Sequence, residues 1–305
     1  MEDFVKSEYG MNEFKAYHPI VNFIYFVLVI GFSMFFMHPL CLFISLVCAF
    51  LYSVILKGKK AIKDNLIYMI PMMLAMIFIN PLFNHEGVTI LKYLPDGNPL
   101  TLESVLYGIF ASVMIASVIC WFSCYNSVMT SDKFIYLFGR VIPSLSMIFS
   151  MTLRFVPKFS AQLKTVANAQ KCIGRDVSNG SIIKRAKHGL SILSVMVTWA
   201  LESSVETADS MKSRGYGVDK RTAFSIYTFD RRDAIVLLCI LFFGIYVFVG
   251  SLMGAMYFKY FPYMEGSGFS LFGMSVFISY IALCILPVVI EIWEVGRWKA
   301  IKSKI

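Results

Sequence analysis

The stretch from Ala234 to Tyr257, AIVLLCILFFGIYVFVGSLMGAMY, contains no charged side chain and decides the class of the fold. A helix of about 20 mostly apolar residues is long enough to cross the ~30 Å hydrocarbon core of a bilayer. The whole chain has the same character: of its 305 residues 58% are hydrophobic and 15% charged, and the mean hydropathy is +0.69. A soluble protein carries roughly 25% charged residues. The sequence therefore predicts an all-α integral membrane protein.

The same length criterion predicts about six membrane-spanning helices. Besides the stretch above, four segments are long enough, and a fifth is slightly short but uncharged. The four are Ile20–Met37, Leu66–Phe83, Ser104–Cys124 and Phe269–Ile290, and the shorter one is Pro39–Leu56. No short apolar core with a small-residue cleavage site precedes the first segment, so we expect that segment to be a retained anchor.

The lysines and arginines predict the orientation, because loops rich in these residues stay on the cytoplasmic side. The loop after Pro39–Leu56 is rich in lysine, whereas the loop Asn84–Thr101 holds Glu86 and Asp96 against Lys92. The C-terminal tail is basic again. Six spans with both termini in the cytoplasm satisfy all of these signs.

Residues 154–232 hold half of the chain's 28 lysines and arginines. This concentration divides the chain into N-terminal transmembrane hairpins (1–153), a cytoplasmic region (154–232), and a C-terminal hairpin with a basic tail (233–305). Apolar stretches long enough to enter a bilayer interrupt the basic residues, which argues against a nucleic-acid-binding protein despite the pI near 9.1. Some of the basic side chains are expected to contact anionic lipid, at about 1 kcal/mol each.

A first amphipathic helix is predicted from Lys158 to Cys172. Pro157 stands at its start, where the missing backbone N–H costs little. Gly174 ends it, because glycine readily takes the left-handed conformation that closes a helix. One stripe at helical spacing is apolar and is formed by Phe159, Leu163, Val166 and Ile173.

A second helix is predicted from Val197 to Ser213 and ends at Gly215. It carries an apolar and an acidic stripe at helical spacing. The apolar stripe is formed by Leu201, Val205 and Ala208, and the acidic stripe by Glu202, Glu206 and Asp209. The acidic stripe is either a solvated face or a source of ion pairs with the first helix or with a partner.

Each predicted helix places an arginine beside its terminal glycine: Arg175 follows Gly174, and Arg214 precedes Gly215. A single cation at a helix C-terminus is favoured by the helix dipole and needs no further explanation. Two such ends in one region suggest a repeated docking device. A guanidinium fork held at a rigid helix end suits the carboxylates or carbonyls of a partner protein.

An ordered set of motifs resembles a known family. The motifs are Asn80-Pro81-Leu82-Phe83, Leu153-Arg154-Phe155-Val156-Pro157, Ala169-Gln170-Lys171 and Met211-Lys212-Ser213-Arg214-Gly215-Tyr216-Gly217. Together they resemble the transmembrane T component of energy-coupling factor transporters, the CbiQ-like family. The resemblance is strongest from about residue 80 to residue 232.

The resemblance implies a non-catalytic scaffold of an ATP-driven importer of a vitamin or a metal ion in a prokaryotic plasma membrane. Two long cytoplasmic coupling helices would each dock an ABC-type ATPase subunit. The membrane part would hold a small substrate-binding (S) subunit. ATP hydrolysis would belong to the partners, and the chain itself would need no cofactor.

The resemblance also assigns docking residues. Arg214 and Gly215 match the arginine and glycine of an Ala-Arg-Gly motif, with Ser213 replacing the alanine. In the first motif, Cys172-Ile173-Gly174 stands where Ala-Arg-Gly is expected, so Ile173 occupies the arginine position. Either Arg175 or Lys171 supplies the charge there, or the contact is mainly apolar. Of these alternatives we favour Arg175.

The sequence also contains evidence on three other functions: ATP hydrolysis, independent transport and membrane-bound catalysis. A phosphate-binding loop of the GxxxxGK[ST] type does not occur, so ATP hydrolysis would require another chain. An independent secondary transporter or channel remains the alternative, although ionisable residues, which usually mark an ion pathway, are nearly missing from the predicted spans. A membrane enzyme would have to use the acidic stripe, which has no histidine beside it.

Gly250 and Gly254 form a GxxxG pattern that predicts helix packing.

Overall fold

The computed structural model describes residues 13–93, 98–139, 143–178, 181–216, 227–266 and 270–302. Its regular structure is almost entirely helical, as predicted. The chain divides into two compact units, one comprising residues 1–134 and 227–305 and the other residues 135–226. The second unit overlaps the region predicted to be cytoplasmic, whose side of the membrane stays a prediction.

The first unit contains most of the apolar helices. In chain order they are α1 (Glu13–Ala16), α2 (Pro19–Phe35), α3 (Pro39–Lys57), α4 (Lys59–Phe83), α5 (Leu102–Val128), α6 (Ser131–Gly139, which runs into the second unit), α9 (Arg231–Leu252) and α10 (Leu271–Lys302). Two antiparallel strand pairs accompany them, β1 (Ile90–Tyr93) with β2 (Pro99–Thr101), and β3 (Phe258–Lys259) with β4 (Glu265–Gly266).

Five of these helices are long and apolar enough to cross a membrane. They are Pro39–Lys57, Ala61–Phe83, Leu102–Val128, Arg231–Leu252 and Leu271–Glu294. Pro39–Leu56, predicted to be slightly short, lies in one of these five helices, whereas Ile20–Met37, predicted to be long enough, corresponds to α2, which is apolar but has 17 residues. At 1.5 Å per residue, α2 is about 25 Å long and lies at the lower limit for a span. Phe269, the predicted start of the last span, lies outside the described residues.

The span predicted from Ala234 to Tyr257 is too long at its C-terminal end. The helix α9 ends at Leu252, and Gly254 follows in the left-handed conformation, with φ of +83°. Gly250 does pack closely, because an added Cβ there would lie 2.5 Å from Val276 Cγ2 of α10. The GxxxG pattern thus combines one packing glycine with one helix-terminating glycine.

An aromatic and hydroxyl core joins α2, α3 and α5. Tyr25, Tyr52 and Trp121 are fully buried, and the Trp121 indole donates a hydrogen bond of 3.0 Å to the Ser45 hydroxyl. The Ser45 and Ser33 oxygens lie 2.6 Å apart. Lipid is as apolar as the helices, so close packing and hydrogen bonds of this kind, more than hydrophobic burial, hold helices together in a membrane.

Two carboxylates of the last two helices bind the backbone of the short helix α1 and of the residue before α2. Glu291 accepts hydrogen bonds of 3.2 Å from the backbone N–H groups of Glu13 and Phe14. Asp233 accepts one of 3.0 Å from the backbone N–H of His18 and also caps the start of α9. These contacts join the beginning of the described chain to its C-terminal hairpin.

The second unit is built on two long helices, α7 (Pro143–Cys172) and α8 (Ile182–Ser213). The Phe159 and Trp199 rings meet edge to face at 5.2 Å, and Lys158 Nζ donates to the Ser203 hydroxyl at 3.1 Å. Both predicted helix ends, at Cys172 and Ser213, are confirmed. The two helices form the predicted pair of long amphipathic helices.

The predicted starts of both helices, at Lys158 and Val197, are wrong. Helix α7 begins at Pro143 and continues through Pro157, and α8 begins at Ile182. An internal proline removes one backbone hydrogen bond and costs about 3 kcal/mol. Packing on both sides of the proline opposes that cost, because the Phe155 and Phe159 rings lie 6.2 Å apart and Phe159 reaches α8.

The face of α8 that packs on α7 differs from its predicted apolar stripe. Leu201 and Val205 are exposed, whereas Ile192 and Met196 are buried and Ser203 is half-buried against α7. The acidic stripe of Glu202, Glu206 and Asp209 is exposed as well, and it forms no ion pair with described residues. The contact between the helices therefore uses Trp199 and Ser203 of α8 and not its predicted apolar stripe.

Candidate docking site at two helix ends

The C-terminal end of α7 closes with a double hydrogen bond around Gly174. The Gly174 N–H donates to the Lys171 carbonyl at 3.0 Å, and the Arg175 N–H donates to the Gln170 carbonyl at 2.9 Å. Gly174 has a φ of +75°. This is a Schellman motif, in which the residue after the cap takes the left-handed conformation. A side chain there would be strained by about 1–2 kcal/mol, which explains the glycine.

The C-terminal end of α8 repeats this geometry. The Gly215 N–H donates to the Lys212 carbonyl at 3.0 Å, and the Tyr216 N–H donates to the Met211 carbonyl at 3.0 Å. Gly215 has a φ of +76°. The two ends therefore have the same backbone conformation, and their residues can be compared position by position. Gly217 of the predicted motif lies outside the described residues.

This comparison places Ile173 at the position of Arg214, the residue immediately before each glycine. Cys172 likewise corresponds to Ser213 and Lys171 to Lys212. Arg175, which the sequence favoured as the charged contact, lies one residue beyond its glycine and corresponds to Tyr216. Both ends thus carry an arginine, but the two arginines leave the backbone at different points of the same motif.

The first end is apolar at its tip. The Ile173 side chain is 65% exposed, and Ile182 and Ile183, at the start of α8, are each 83% exposed. Ile182 and Ile183 were not among the predicted docking residues, although two adjacent isoleucines before a basic run are visible in the sequence. Exposed isoleucines are costly in water, so this tip is suited to contact another apolar surface.

Charges at the first end surround the apolar tip. The exposed Lys171 forms an ion pair of 3.7 Å with the half-buried Asp176. The pKa of Asp176 is lowered, chiefly by the backbone N–H of Ser178, which donates to its carboxylate at 2.9 Å. Arg175 is exposed. The charge of Lys171 is therefore partly neutralised by Asp176 in the same turn. Arg175 is thus the better placed of the two candidate cations to contact a partner.

The second end is polar. Arg214 is exposed, and the Ser213 hydroxyl donates to the Ser210 carbonyl at 2.9 Å. Arg214 also lines a cleft that continues between α7 and α8. A guanidinium presents its donors in a planar fork that matches carboxylates and carbonyl groups.

The two ends lie at opposite ends of α8. Helix α8 has 32 residues and is therefore about 48 Å long at 1.5 Å per residue. The turn that follows Gly174 stays beside the start of α8, because Arg185 Nε donates to the Val177 carbonyl at 2.8 Å. The structure thus gathers Lys171, Ile173, Gly174 and Arg175 at one end of α8 and Ser213, Arg214 and Gly215 at the other.

Comparison with known proteins identifies relatives of this chain. The profile of the CbiQ family, described as a cobalt transport protein, matches residues 15–224. The energy-coupling factor transporter transmembrane protein EcfT of Staphylococcus aureus is 30% identical over 171 residues, which cover 51% of this chain and 63% of that protein. The protein of the same name from Bacillus selenitireducens is 26% identical over 196 residues, covering 61% and 73%.

A third relative matches a shorter part. EcfT of Lactobacillus helveticus is 32% identical over 102 residues, which cover 33% of this chain and 37% of that protein. The chain thus matches less than two thirds of the length of the Staphylococcus and Lactobacillus proteins. The family match, in contrast, extends over both helix ends described above.

Proposed function

Because the chain belongs to the CbiQ family, we propose that it is the transmembrane T component of an energy-coupling factor importer. In this role it is a non-catalytic scaffold, and ATP is hydrolysed by two ABC-type ATPase subunits. A separate small S subunit in the membrane captures the cargo, a vitamin or a metal ion. The chain lies in the plasma membrane of a prokaryote, with both termini in the cytoplasm.

One observation carries the proposal: two helix ends with the same Schellman geometry present exposed side chains at opposite ends of α8. A spacing of roughly 48 Å allows two partner proteins to bind without competing for one surface. One ATPase binds the end at Gly174, and the other binds the end at Gly215.

Long continuous helices suit the transmission of movement. Closure of the ATPases on ATP displaces the two helix ends, and helices α7 and α8 carry that displacement toward the membrane part. Bistable rearrangement of packed helices is an established way to convert a small shift at one site into a larger change elsewhere. The S subunit then releases its cargo inward.

The membrane part offers a surface for the S subunit. Only 11% of the Ala61–Phe83 span is buried within the chain, compared with 39% of the Pro39–Lys57 span. Both are apolar. The span from Ala61 to Phe83 therefore has the larger face available for lipid or for another membrane protein, and this supports a partner there.

The two ATPase contacts are proposed to differ in chemistry. At Gly215, Arg214 donates to carboxylate or carbonyl oxygens of one ATPase, with Ser213 beside it. At Gly174, Ile173 enters an apolar recess of the other ATPase, and Arg175 contacts the polar rim of that recess. Lys171 contributes less, because its charge is paired with Asp176.

Substitution of Arg214 by glutamate tests the proposal. Arg214→Glu is expected to reduce copurification of the ATPase pair with the chain by at least tenfold, because it replaces a donor fork by a carboxylate. Lys164→Glu is the matched control, since Lys164 is exposed in the middle of α7 and makes the same charge change away from both ends. Membrane insertion should be unaffected in both variants.

Two results would contradict the proposal. Unchanged assembly of Arg214→Glu would remove Arg214 from the contact. Uptake of a solute by the purified chain alone in liposomes would favour the alternative of an independent transporter, because a scaffold without ATPases cannot drive transport.

A further inference from the structure

A charged cleft of about 450 Å³ lies between α7 and α8, in the turns that lead to Gly215. Its volume is within the range of roughly 300–1,000 Å³ that small-molecule sites occupy. Three cations line it, Arg154 and Lys158 from α7 and Arg214 from α8, together with a single carboxylate, that of Glu206. The lining therefore carries an excess of positive charge.

The cations of the cleft are poorly neutralised by the protein. Within the residues that the structure describes, Arg154 and Arg214 form neither an ion pair nor a side-chain hydrogen bond. Lys158 is held in place, because its Nζ donates to Ser203 and lies 5.2 Å from the Trp199 ring. A pre-positioned ammonium next to unpaired guanidinium forks is a strong arrangement for an anion with several oxygens.

We infer that this cleft binds the phosphate group of an anionic membrane phospholipid. Arg154 and Lys158 donate to the phosphate oxygens from α7. Phosphate suits these groups because the guanidinium fork pairs with two oxygens at once, and the ammonium acts as a compact point charge. Glu206 weakens the site, since its carboxylate repels the same anion.

The apolar part of the cleft lining favours a lipid over a free phosphate ion. Met147, Met151 and Phe155 of α7 and Met211 of α8 line the cleft together with the cations. A site for a lipid headgroup needs apolar surface beside its basic residues, whereas a free phosphate ion does not. The apolar lining is then available to the acyl chains, while the cations bind the phosphate.

The site shares Arg214 with the proposed ATPase contact at Gly215, and its other two cations are separate from that contact. It uses Arg154 and Lys158, neither of which belongs to the proposed ATPase contacts. Arg214 lines the cleft but is left out of the test, so that a failure of lipid binding and a failure of ATPase docking can be told apart.

Lipid binding to the purified full-length chain tests the inference. The chain, delipidated in a neutral detergent, is titrated with phosphatidylglycerol or phosphatidylcholine, and the bound lipid is measured by native mass spectrometry. Phosphatidylglycerol is expected to bind more tightly. Arg154→Gln and Lys158→Gln should each weaken its binding roughly fivefold, the effect of about 1 kcal/mol per basic side chain. Glu206→Gln should strengthen it.

Matched controls make the result decisive. Lys164→Gln removes the same charge from an exposed position of α7 outside the cleft and should leave binding unchanged. Equal losses in Lys164→Gln and Lys158→Gln, or no change in Glu206→Gln, would overturn the site. Release of bound phosphatidylglycerol by 50 mM inorganic phosphate would overturn the lipid assignment in favour of a free anion. The opposite effect of Glu206→Gln keeps the test valid even if Arg154→Gln fails to fold.

Discussion

The ends of α7 and α8 share one backbone motif and differ in the side chain that the motif displays. Both close with the same two hydrogen bonds and with a glycine at a φ near +75°. Immediately before the glycine, however, one end has Ile173 and the other has Arg214. The local rule that ends a helix at glycine therefore does not determine what the end recognises.

If the two ends bind two ATPase subunits as proposed, the difference makes the two partner surfaces non-interchangeable. An exposed isoleucine gains free energy only where a partner removes it from water, at about 25 cal/mol per Å² of apolar area. An exposed arginine gains little by burial unless acceptors meet its donors. A chain that pairs these two ends can distinguish two non-identical ATPases and bind each in one orientation.

The largest expected effect comes from placing a charge at the apolar end. Ile173→Glu should weaken ATPase binding at the Gly174 end by at least tenfold, or about 1.4 kcal/mol, because an apolar recess cannot solvate a carboxylate. Arg175→Gln, which removes a charge at the edge of the same end, should cost less than threefold. Pull-down of each purified ATPase with the chain measures both.

The converse result would reverse the assignment of the first contact. If Arg175→Gln proves as damaging as Ile173→Glu, the charged residue beyond the glycine dominates. The two ends would then be chemically alike, as the sequence had favoured.

Substitution of either terminal glycine is expected to have an effect of intermediate size on the stability of its helix end, and the two effects should be equal. Gly174→Ala and Gly215→Ala should each destabilise the local helix end by about 1 kcal/mol, because alanine is strained at positive φ. Gly189→Ala is the control, since Gly189 lies inside α8 with open space around its Cα, and alanine favours a helix. Hydrogen exchange of the amides at each helix end measures the effect. A clear difference between the two ends would show that their backbones are not equivalent.

The smallest expected effect is a pH response confined to the first end. The carboxylate of Asp176 has a lowered pKa through hydrogen bonds from Ser178 and its pair with Lys171. Its stabilisation of the turn is present above the ordinary pKa of 3.8 and is lost as the pH falls below it. The protection factors of the amides at residues 173–178, which are corrected for the intrinsic pH dependence of hydrogen exchange, should therefore fall between pH 5 and pH 3. Residues 211–216 should not change, and Asp176→Asn should abolish the response.

Much of the membrane part could be predicted because hydropathy is a property of the chain itself. Most of each of the six apolar segments is helical, and both amphipathic helices end where glycine predicted. The starts of α7 and α8 could not be predicted, because Pro157 resembles a helix boundary in the sequence. Contacts such as Phe159 with Trp199 sustain α7 beyond it.

The acidic and apolar stripes of α8 illustrate a second limit. Periodicity identified Leu201 and Val205 as one apolar face, but both are exposed, and Ile192 and Met196 face inward instead. A helix with two apolar faces does not reveal from its spacing which of them meets a neighbour. Which face is buried depends on how well that face fits the surface of the neighbouring helix.

By itself, the sequence determined that the chain is a helical membrane protein and that two of its helices end at Gly174 and Gly215. Both are local properties, since they depend on the transfer of apolar side chains into lipid and on the freedom of glycine at positive φ. Only the tertiary structure decided that Arg154 and Lys158 share a cleft with Glu206, and that Ile192 and Met196 are buried while Leu201 and Val205 are exposed. These relations depend on hydrogen bonds and packing between residues far apart in the chain, which local patterns do not encode.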